Sequence, residues 1–294
     1  MVVVSWNMAK SRNIPFDQVL KDCERWGTSL LVIQEPTGSL RDFGSRRKES
    51  QPRGCESSWR GHLHESKGSS QGDIVIISRE GVVVSNVKGV DVNVGQGTYS
   101  ITRTNPLVVF DAQEDRERMK IATCHAPFDI AARSAYAVRA INAAQSDGVH
   151  CVIGDMNTYG TRTPGASRSR NPSNYQTPSL GATSAKGSGS PLDKAYVSNS
   201  IGNSFQAGRI IPGSSSRRVM PSPGGSDQVS DIVDPDWREC QSDHLPIYIA
   251  FHDDVDRIRG LFRRGGDDDD SDDDGSPPSK RQRLTKGTHR PIKT

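Results

Sequence analysis

The sequence predicts an α/β protein built on two packed sheets, and three observations carry that reading. Short apolar runs recur along the chain, each of strand length rather than helix length. Only two stretches show a helical repeat, so helices are too few to cross over between every pair of strands. No glycine-rich phosphate loop joins a strand to a helix, which separates the chain from the doubly wound nucleotide-binding sheets.

Taken in order, residues 2–8 alternate into a strand carrying Ser5-Trp6-Asn7 at its end. Residues 16–26 place Phe16, Val19, Leu20 and Cys23 at helical spacing, with Gly27 as the stop. Residues 30–36 form an aliphatic strand ending in Gln34-Glu35-Pro36. Burying an unpaired carboxylate is costly, so a metal ligand accounts for Glu35 better than decoration does. Residues 41–60 are polar and basic and read as an exposed loop able to lie along phosphates. Residues 62–67 and 73–78 read as a strand pair, followed by strands at 82–84, 107–110 and 120–127. His125 stands at the mouth of the last of these, and Pro127 ends it. Residues 133–144 read as a helix with Ala135, Val138, Ile141 and Asn142 on or near one face. Residues 161–190 and 214–230 read as loops, 192–198 and 247–251 as strands.

Composition narrows the class. The 33% apolar content is low, but the deficit lies in the Ser/Gly/Arg-rich stretch 161–190 and in the tail, so the rest can bury an ordinary core. A net charge of +3 is too small to name a partner. The five cysteines are odd in number and lack paired metal spacing, and Cys124 and Cys151 sit in apolar runs as buried thiols do. No run reaches membrane-spanning length. The chain opens directly on a strand, leaving no room for a cleavable secretory signal.

The stretch that organises the chain is Cys151-Val152-Ile153-Gly154-Asp155-Met156-Asn157. Alternation along a strand puts Asp155 and Asn157 on one side, where both would face one substrate atom; an Asx-type turn is the competing reading. Asn7, Glu35, His125, Asp155, Asn157, Asp193, Asp243 and His244 all lie at or near the ends of apolar strands. One such residue is usually structural. A full set is what an active site gathers where strand ends meet.

Ser-Trp-Asn, Val-Ile-Gln-Glu, His-Ala-Pro, Gly-Asp-Met-Asn, Leu-Asp-Lys-Ala and Ser-Asp-His-Leu-Pro, in this order across residues 2–251, resemble the motifs of the endonuclease/exonuclease/phosphatase superfamily. Residues 74–79 and 181–193 are similar within it to the catalytic subunit of cytolethal distending toxin. The resemblance implies a four-layer α/β sandwich of the DNase I-like type, two packed mixed β-sheets with helices outside. It also implies a Mg²⁺ ion, with Mn²⁺ and Ca²⁺ as alternatives, held by Glu35 with Asn7 and Asp243. In that reading Asp155 orients or deprotonates the attacking water and Asn157 holds the phosphate. His125 and His244 contact the scissile group, Asp193 orients His244, and Arg79 anchors a phosphate. The acidic partner of His125 stays open between Glu56 and Glu65.

Three functions fit this set: an endonuclease nicking DNA, with a genotoxin acting in a host nucleus as its specific form; a phosphoinositide or other phosphomonoester phosphatase; and an inactive binding protein. The intact set of polar residues argues against the last. Residues 1–252 are expected to form the catalytic domain and 253–294 a disordered tail. That tail carries the acidic run 267–274 and a basic cluster of Lys280, Arg281 and Arg283, the pattern a nuclear import receptor reads.

Overall fold

A computed structural model describes residues 1–9, 14–66, 72–92, 106–127, 130–157, 174–183, 192–213, 228–234, 236–237, 242–252, 254 and 258, without the side chains of 130–134. The chain begins with β1 (Val2–Asn7), α1 (Phe16–Arg25), β2 (Leu30–Gln34), α2 (Gly38–Arg46), β3 (Glu49–Ser50), β4 (Trp59–His64) and β5 (Ile74–Arg79). It continues through β6 (Val82–Val90), β7 (Leu107–Glu114), β8 (Glu117–His125), α3 (Ile130–Ser146) and β9 (Cys151–Asp155). The last part adds β10 (Tyr175–Gln176), β11 (Asp193–Ser198), β12 (Phe205–Pro212), β13 (Ile232–Asp234) and β14 (Ile247–Phe251).

These strands make two mixed sheets, ordered β13-β12-β14-β1-β2-β5-β4-β3 and β10-β11-β9-β8-β7-β6. The pairs β1/β2, β8/β9 and β12/β13 are parallel. Period-2 alternation then sorts every strand into an inner and an outer row. Val3, Val32, Ile76 and Ile249 of the first sheet join Phe110, Ile121, Ile153 and Ala195 of the second in the central core. The outer row of the first sheet, Val2, Val4, Trp6 and Ile33, meets Val19, Leu20 and Cys23 of α1 together with Trp26 and Trp237. The outer row of the second, Val109, Ala122 and Val152, meets Tyr136, Ala137, Ala140 and Ile141 of α3. Helix, sheet, sheet and helix make the expected four layers.

Truncating a core residue such as Ile153, fully buried at 0% exposure, to Ala would cost about 2–5 kcal/mol. Gly154 has its own reason: a Cβ there would stand 2.5 Å from the Cys124 carbonyl oxygen, so β9 can press against β8 only without a side chain.

Three expectations need correction. Residues 41–60 are exposed over much of their length but are not one loop: α2 takes 41–46, β3 49–50 and β4 begins at 59, with Phe43, Cys55 and Trp59 buried. Gly38, Ser39, Gly44 and Ser45 are weak helix formers, and tertiary packing decides the helix instead. A Cβ on Gly61 of β4 would lie 2.7 Å from the Gly44 Cα, so helix and strand cross glycine on glycine. The buried face of α3 holds Tyr136, Ala137, Ala140, Ile141 and Ala144, while Ala135 and Val138 are only partly buried and Asn142 is exposed. β12 and β13 add strands beyond those expected. The four described cysteines are buried and free. Among the described residues no helix is long and apolar enough to cross a membrane. Ile258 packs into the core beside Trp237 and Tyr248, whereas the acidic run and the basic cluster of the tail lie outside the described residues.

Candidate active site

The inner rows of both sheets run out of aliphatic residues at the same end of the sandwich. After Val3 and Ser5, the inner row of β1 ends in Asn7; after Ile121 and Thr123, that of β8 ends in His125; after Cys151 and Ile153, that of β9 ends in Asp155. β11 is antiparallel to β9 and begins with Asp193 directly opposite Asp155. Strand alternation therefore delivers four polar side chains to one place without any loop having to aim them.

Asp155 is the hub. Its Oδ2 accepts a 2.9 Å hydrogen bond from Asn7 Nδ2 across the gap between the sheets. The same oxygen lies 3.7 Å from His125 Nε2 and 3.9 Å from His244 Nε2. Its Oδ1 accepts from the Asn157 backbone N–H at 2.8 Å. The carboxyl is buried, and desolvation together with the nearby Asp193 pushes its pKa up, against the pull of the two histidines and Asn7.

His244 is gripped from behind. Its Nδ1 stands 2.8 Å from Asp193 Oδ2, and Trp6 Nε1 donates to its carbonyl at 3.2 Å. Burial alone would discharge this ring. Asp193, Asp155 and Asp243 outweigh burial and raise its pKa to about 10. His125 is placed differently: its Nε2 is 3.3 Å from Glu35 Oε1. By alternation Glu35 belongs to the outer row with Leu31 and Ile33. The chain instead leaves β2 with a left-handed φ of 49° at Glu35, and the carboxylate reaches the inner-row histidine.

Two sequence readings change here. Asn157 does not continue the β9 alternation. It adopts a φ of 48° in an Asx-type turn, and its Nδ2 donates to the Ala126 carbonyl at 2.7 Å, so its amide ties β9 to the end of β8. The partner of His125 is neither Glu56 nor Glu65. Glu65 pairs with Arg41, the Glu56 N–H donates to Glu24, and it is Glu35 that faces the ring. Arg79 lies at the far end of the sheet. β5 runs antiparallel to β2, pairing Gln34 with Ile74 and Leu30 with Ser78, so Arg79 emerges opposite the Glu35 end, 3.6 Å from Glu114.

Oxygen donors for a hard cation are present at the open side. β14 and β2 flank β1, which sets Asp243 and Glu35 on either side of Asn7. Both carboxylates retain exposure, 18% and 28%, as a cation that keeps several waters requires. Asp155, Asp193 and His244 also bring one ligand atom each within 4.8 Å of one another, a grouping able to hold a metal ion. The 2.8 Å contact of Asp193 with His244 Nδ1 is hydrogen-bond geometry, so the Glu35–Asp243 side fits the cation better.

Sequence reasoning passed over the residues that hold this set in place. Ser242 Oγ donates to the Asn7 carbonyl at 2.8 Å and accepts from the His244 N–H at 3.1 Å. Thr183 Oγ1 accepts from the Asp193 N–H at 3.0 Å, and its carbonyl accepts from the Leu245 N–H at 2.8 Å. Gln34 bridges the sheets to Thr123 at 3.0 Å. A hydroxyl two residues before a histidine was the one legible signal, in Ser242-Asp243-His244.

No protein-family model and no curated protein matches the chain. Solved structures do. The human Nocturnin catalytic domain, with a bound sulfate anion, aligns with a TM-score of 0.53 at 14% identity over 85% of this chain and 94% of that one. D. rerio TDP2, complexed with single strand DNA product, aligns at 0.53 and 10% identity over 85% and 98%. The fold is DNase I-like. The endonuclease domain of TRAS1, a telomere-specific non-LTR retrotransposon, aligns at 0.50 and 13% identity over 85% and 97%. At these identities the likeness establishes the DNase I-like architecture and its two packed sheets, and nothing narrower.

Proposed function

We propose that this chain is a divalent-cation-dependent hydrolase of phosphoester bonds, and that its substrate is DNA. One observation carries the reading: the Nε2 atoms of His125 and His244 face the same oxygen of a buried aspartate, within 3.7 and 3.9 Å. Hydrolysing a phosphodiester requires a base for water, positive charge for the phosphoryl oxygens and a proton for the leaving oxygen, and this cluster supplies each. Asp155, made more basic by burial, orients and deprotonates the water. His244, held charged by Asp193, stabilises the negative charge that gathers on the phosphoryl oxygens. His125 donates the proton to the leaving oxygen, with Glu35 beside it.

Glu35 and Asp243, with Asn7, would hold Mg²⁺, which supplies Lewis-acid stabilisation of phosphate charge when bound. DNA is favoured because two structures of the same fold are named for an endonuclease domain and for a complex with single strand DNA product. A role as a toxin-like nuclease in a host nucleus rests on the sequence resemblance and on Lys280, Arg281 and Arg283 as an import signal. A double-tagged fusion that stays cytoplasmic would remove that part alone.

The deciding experiment incubates purified protein and Mg²⁺ with supercoiled plasmid in one arm and phosphoinositides in the other. Nicked plasmid, abolished by a chelator and restored by Mg²⁺, is the expected result. Phosphate release from the inositides alone would replace the nuclease reading with a phosphatase, and inactivity in both arms would leave only a binding protein.

A further inference from the structure

A guanidinium with 0% side-chain exposure sits in β12 at Arg209, away from the residues placed in the reaction. Arginine is almost never fully buried unless paired, and this one is paired on every side. Its Nε lies 3.0 Å from Asp231 Oδ1, its Nη2 contacts Asp231 Oδ2, and its backbone N–H also donates to Asp231 Oδ1 at 3.0 Å. The approach is built into the backbone. A Cβ on the preceding Gly208 would stand 1.7 Å from the Ser230 carbonyl oxygen, so β12 lies directly against the segment that carries Asp231.

A further Arg209 donor leaves this pair. Nη1 donates to the Ala182 carbonyl at 2.9 Å, and the next residue is Thr183. Fully buried, Thr183 caps the Asp193 N–H with its hydroxyl and takes the Leu245 N–H on its carbonyl. One residue thus fastens the start of β11 and the lead-in to β14, the two segments that bring Asp193 and His244 together. Their 2.8 Å contact depends on the relative placement of two elements that no strand pairing joins, since β11 and β14 lie in different sheets.

We propose that Arg209 is a positioning residue for the Asp193–His244 pair: clamped by Asp231, it fixes the strap at residues 180–183 that sets the two side chains at hydrogen-bond distance. The consequence for turnover rests on the hydrolase reading above; the consequence for the hydrogen bond does not. An ordinary structural ion pair would affect folding and leave the dyad alone, and this difference makes the proposal testable.

The test uses two variants of the full chain. Arg209→Met combined with Asp231→Leu removes both charges together, the replacement buried ion pairs tolerate best. Arg209→Lys keeps the charge but lacks the planar fork that reaches Asp231 and Ala182 at once. Each is measured for thermal midpoint, for the downfield proton resonance of the His244 Nδ1–H in the metal-free protein, and for kcat and KM with Mg²⁺ on a short DNA duplex. The double variant is expected to fold, to lose or broaden that resonance, and to drop kcat about 10–100-fold, as loss of an orienting partner does, with KM little changed. Arg209→Lys should fall between it and the parent. A folded double variant that keeps the resonance and its kcat overturns the proposal. If neither variant folds, Arg209 holds the fold rather than the pair, which also overturns it. A parent that turns over no DNA would defeat the nuclease reading and leave the resonance to decide this one.

Discussion

His244 and His125 face the same oxygen of Asp155 and are held in opposite ways. His244 has Asp193 fixing its Nδ1 at 2.8 Å, a tryptophan on its carbonyl and a serine on its N–H. His125 ends β8 beside Glu35, whose carboxylate is 28% exposed and reaches the ring at 3.3 Å. The first is locked into a charged, oriented group, with Asp243 4.0 Å from its Nε2; the second has Glu35 beside it, so each ring has one of the two cation carboxylates next to it. A fixed positive charge suits stabilisation of a phosphoryl group, and a histidine beside a partly exposed carboxylate suits giving up a proton and regaining it. The two flanks of Asp155 thus divide the chemistry between them.

The sharpest way to break this division is at the shared oxygen. Asp155→Asn removes the base and the common partner of both rings, and plasmid nicking should fall by about three orders of magnitude or more, while Asn7 keeps a hydrogen-bonding partner and the fold persists. Next come changes aimed at one flank. Asp193→Asn should lower turnover by roughly 10²–10⁴-fold and move the Mg²⁺ requirement less than a change at a cation carboxylate does, since Asp193 acts through His244 and Asp155. Glu35→Gln should lower turnover by a similar factor and raise the Mg²⁺ concentration needed for half-activity. If both variants shift the Mg²⁺ requirement equally, the flanks are not separate.

A smaller effect separates the flanks by pH. In the metal-free protein the His244 pKa rises from 6.5 to about 10. A group raised on folding stabilises the native state fully below its unfolded value, and that contribution is lost as pH rises through the folded one. Asp155, also raised, by burial first and by Asp193 second, works in the same direction at lower pH. The thermal midpoint of the parent should therefore fall as pH is taken from about 6.5 toward 10, and His244→Gln should flatten that slope. An equally steep slope in the variant would show that His244 is not the group responsible. Adding Mg²⁺ should shallow the slope in the parent, because a cation beside Asp243 opposes the charged ring.

Most of the site was legible because its residues stand at the ends of strands whose apolar alternation is strong. Asn7, His125, Asp155 and Asp193 each follow or open a run of inward aliphatics, and alternation alone assigns them to the inner row. Glu35 was legible as an anomaly, a carboxylate after four aliphatics, but its route to His125 depends on a left-handed φ of 49° that no periodicity encodes. The same holds for Asn157, whose positive φ makes a turn that ties its amide to the Ala126 carbonyl. Thr183 and Arg209 act through contacts between elements far apart in sequence, and local spacing carries no trace of those; Ser242 left a trace only in its bond to the His244 N–H two residues on. The α2 helix went unread because glycine and serine dilute its pattern and its stability comes from Gly61 and Val75 beneath it.

Arg79 is where sequence and structure disagree most, and it gives the mildest test. The resemblance made it a phosphate anchor. Its strand, β5, ends there, and antiparallel pairing with β2 carries it to the end of the sheet opposite Glu35, about 15 Å or more away at strand rise. Its backbone N–H donates to the Ser29 carbonyl at 3.0 Å, and its guanidinium lies 3.6 Å from Glu114, which also accepts from Ser29 Oγ at 2.8 Å. With 21% exposure, this pair is partly screened and contributes at most about 1 kcal/mol. Arg79→Ala should therefore lower the thermal midpoint by a few degrees and leave kcat and KM on DNA within about twofold of the parent, against the orders of magnitude expected at Asp155. A KM raised tenfold, with stability unchanged, would mean that DNA reaches across the whole sandwich to this far rim, and that the substrate surface extends well beyond the strand ends that hold the two histidines.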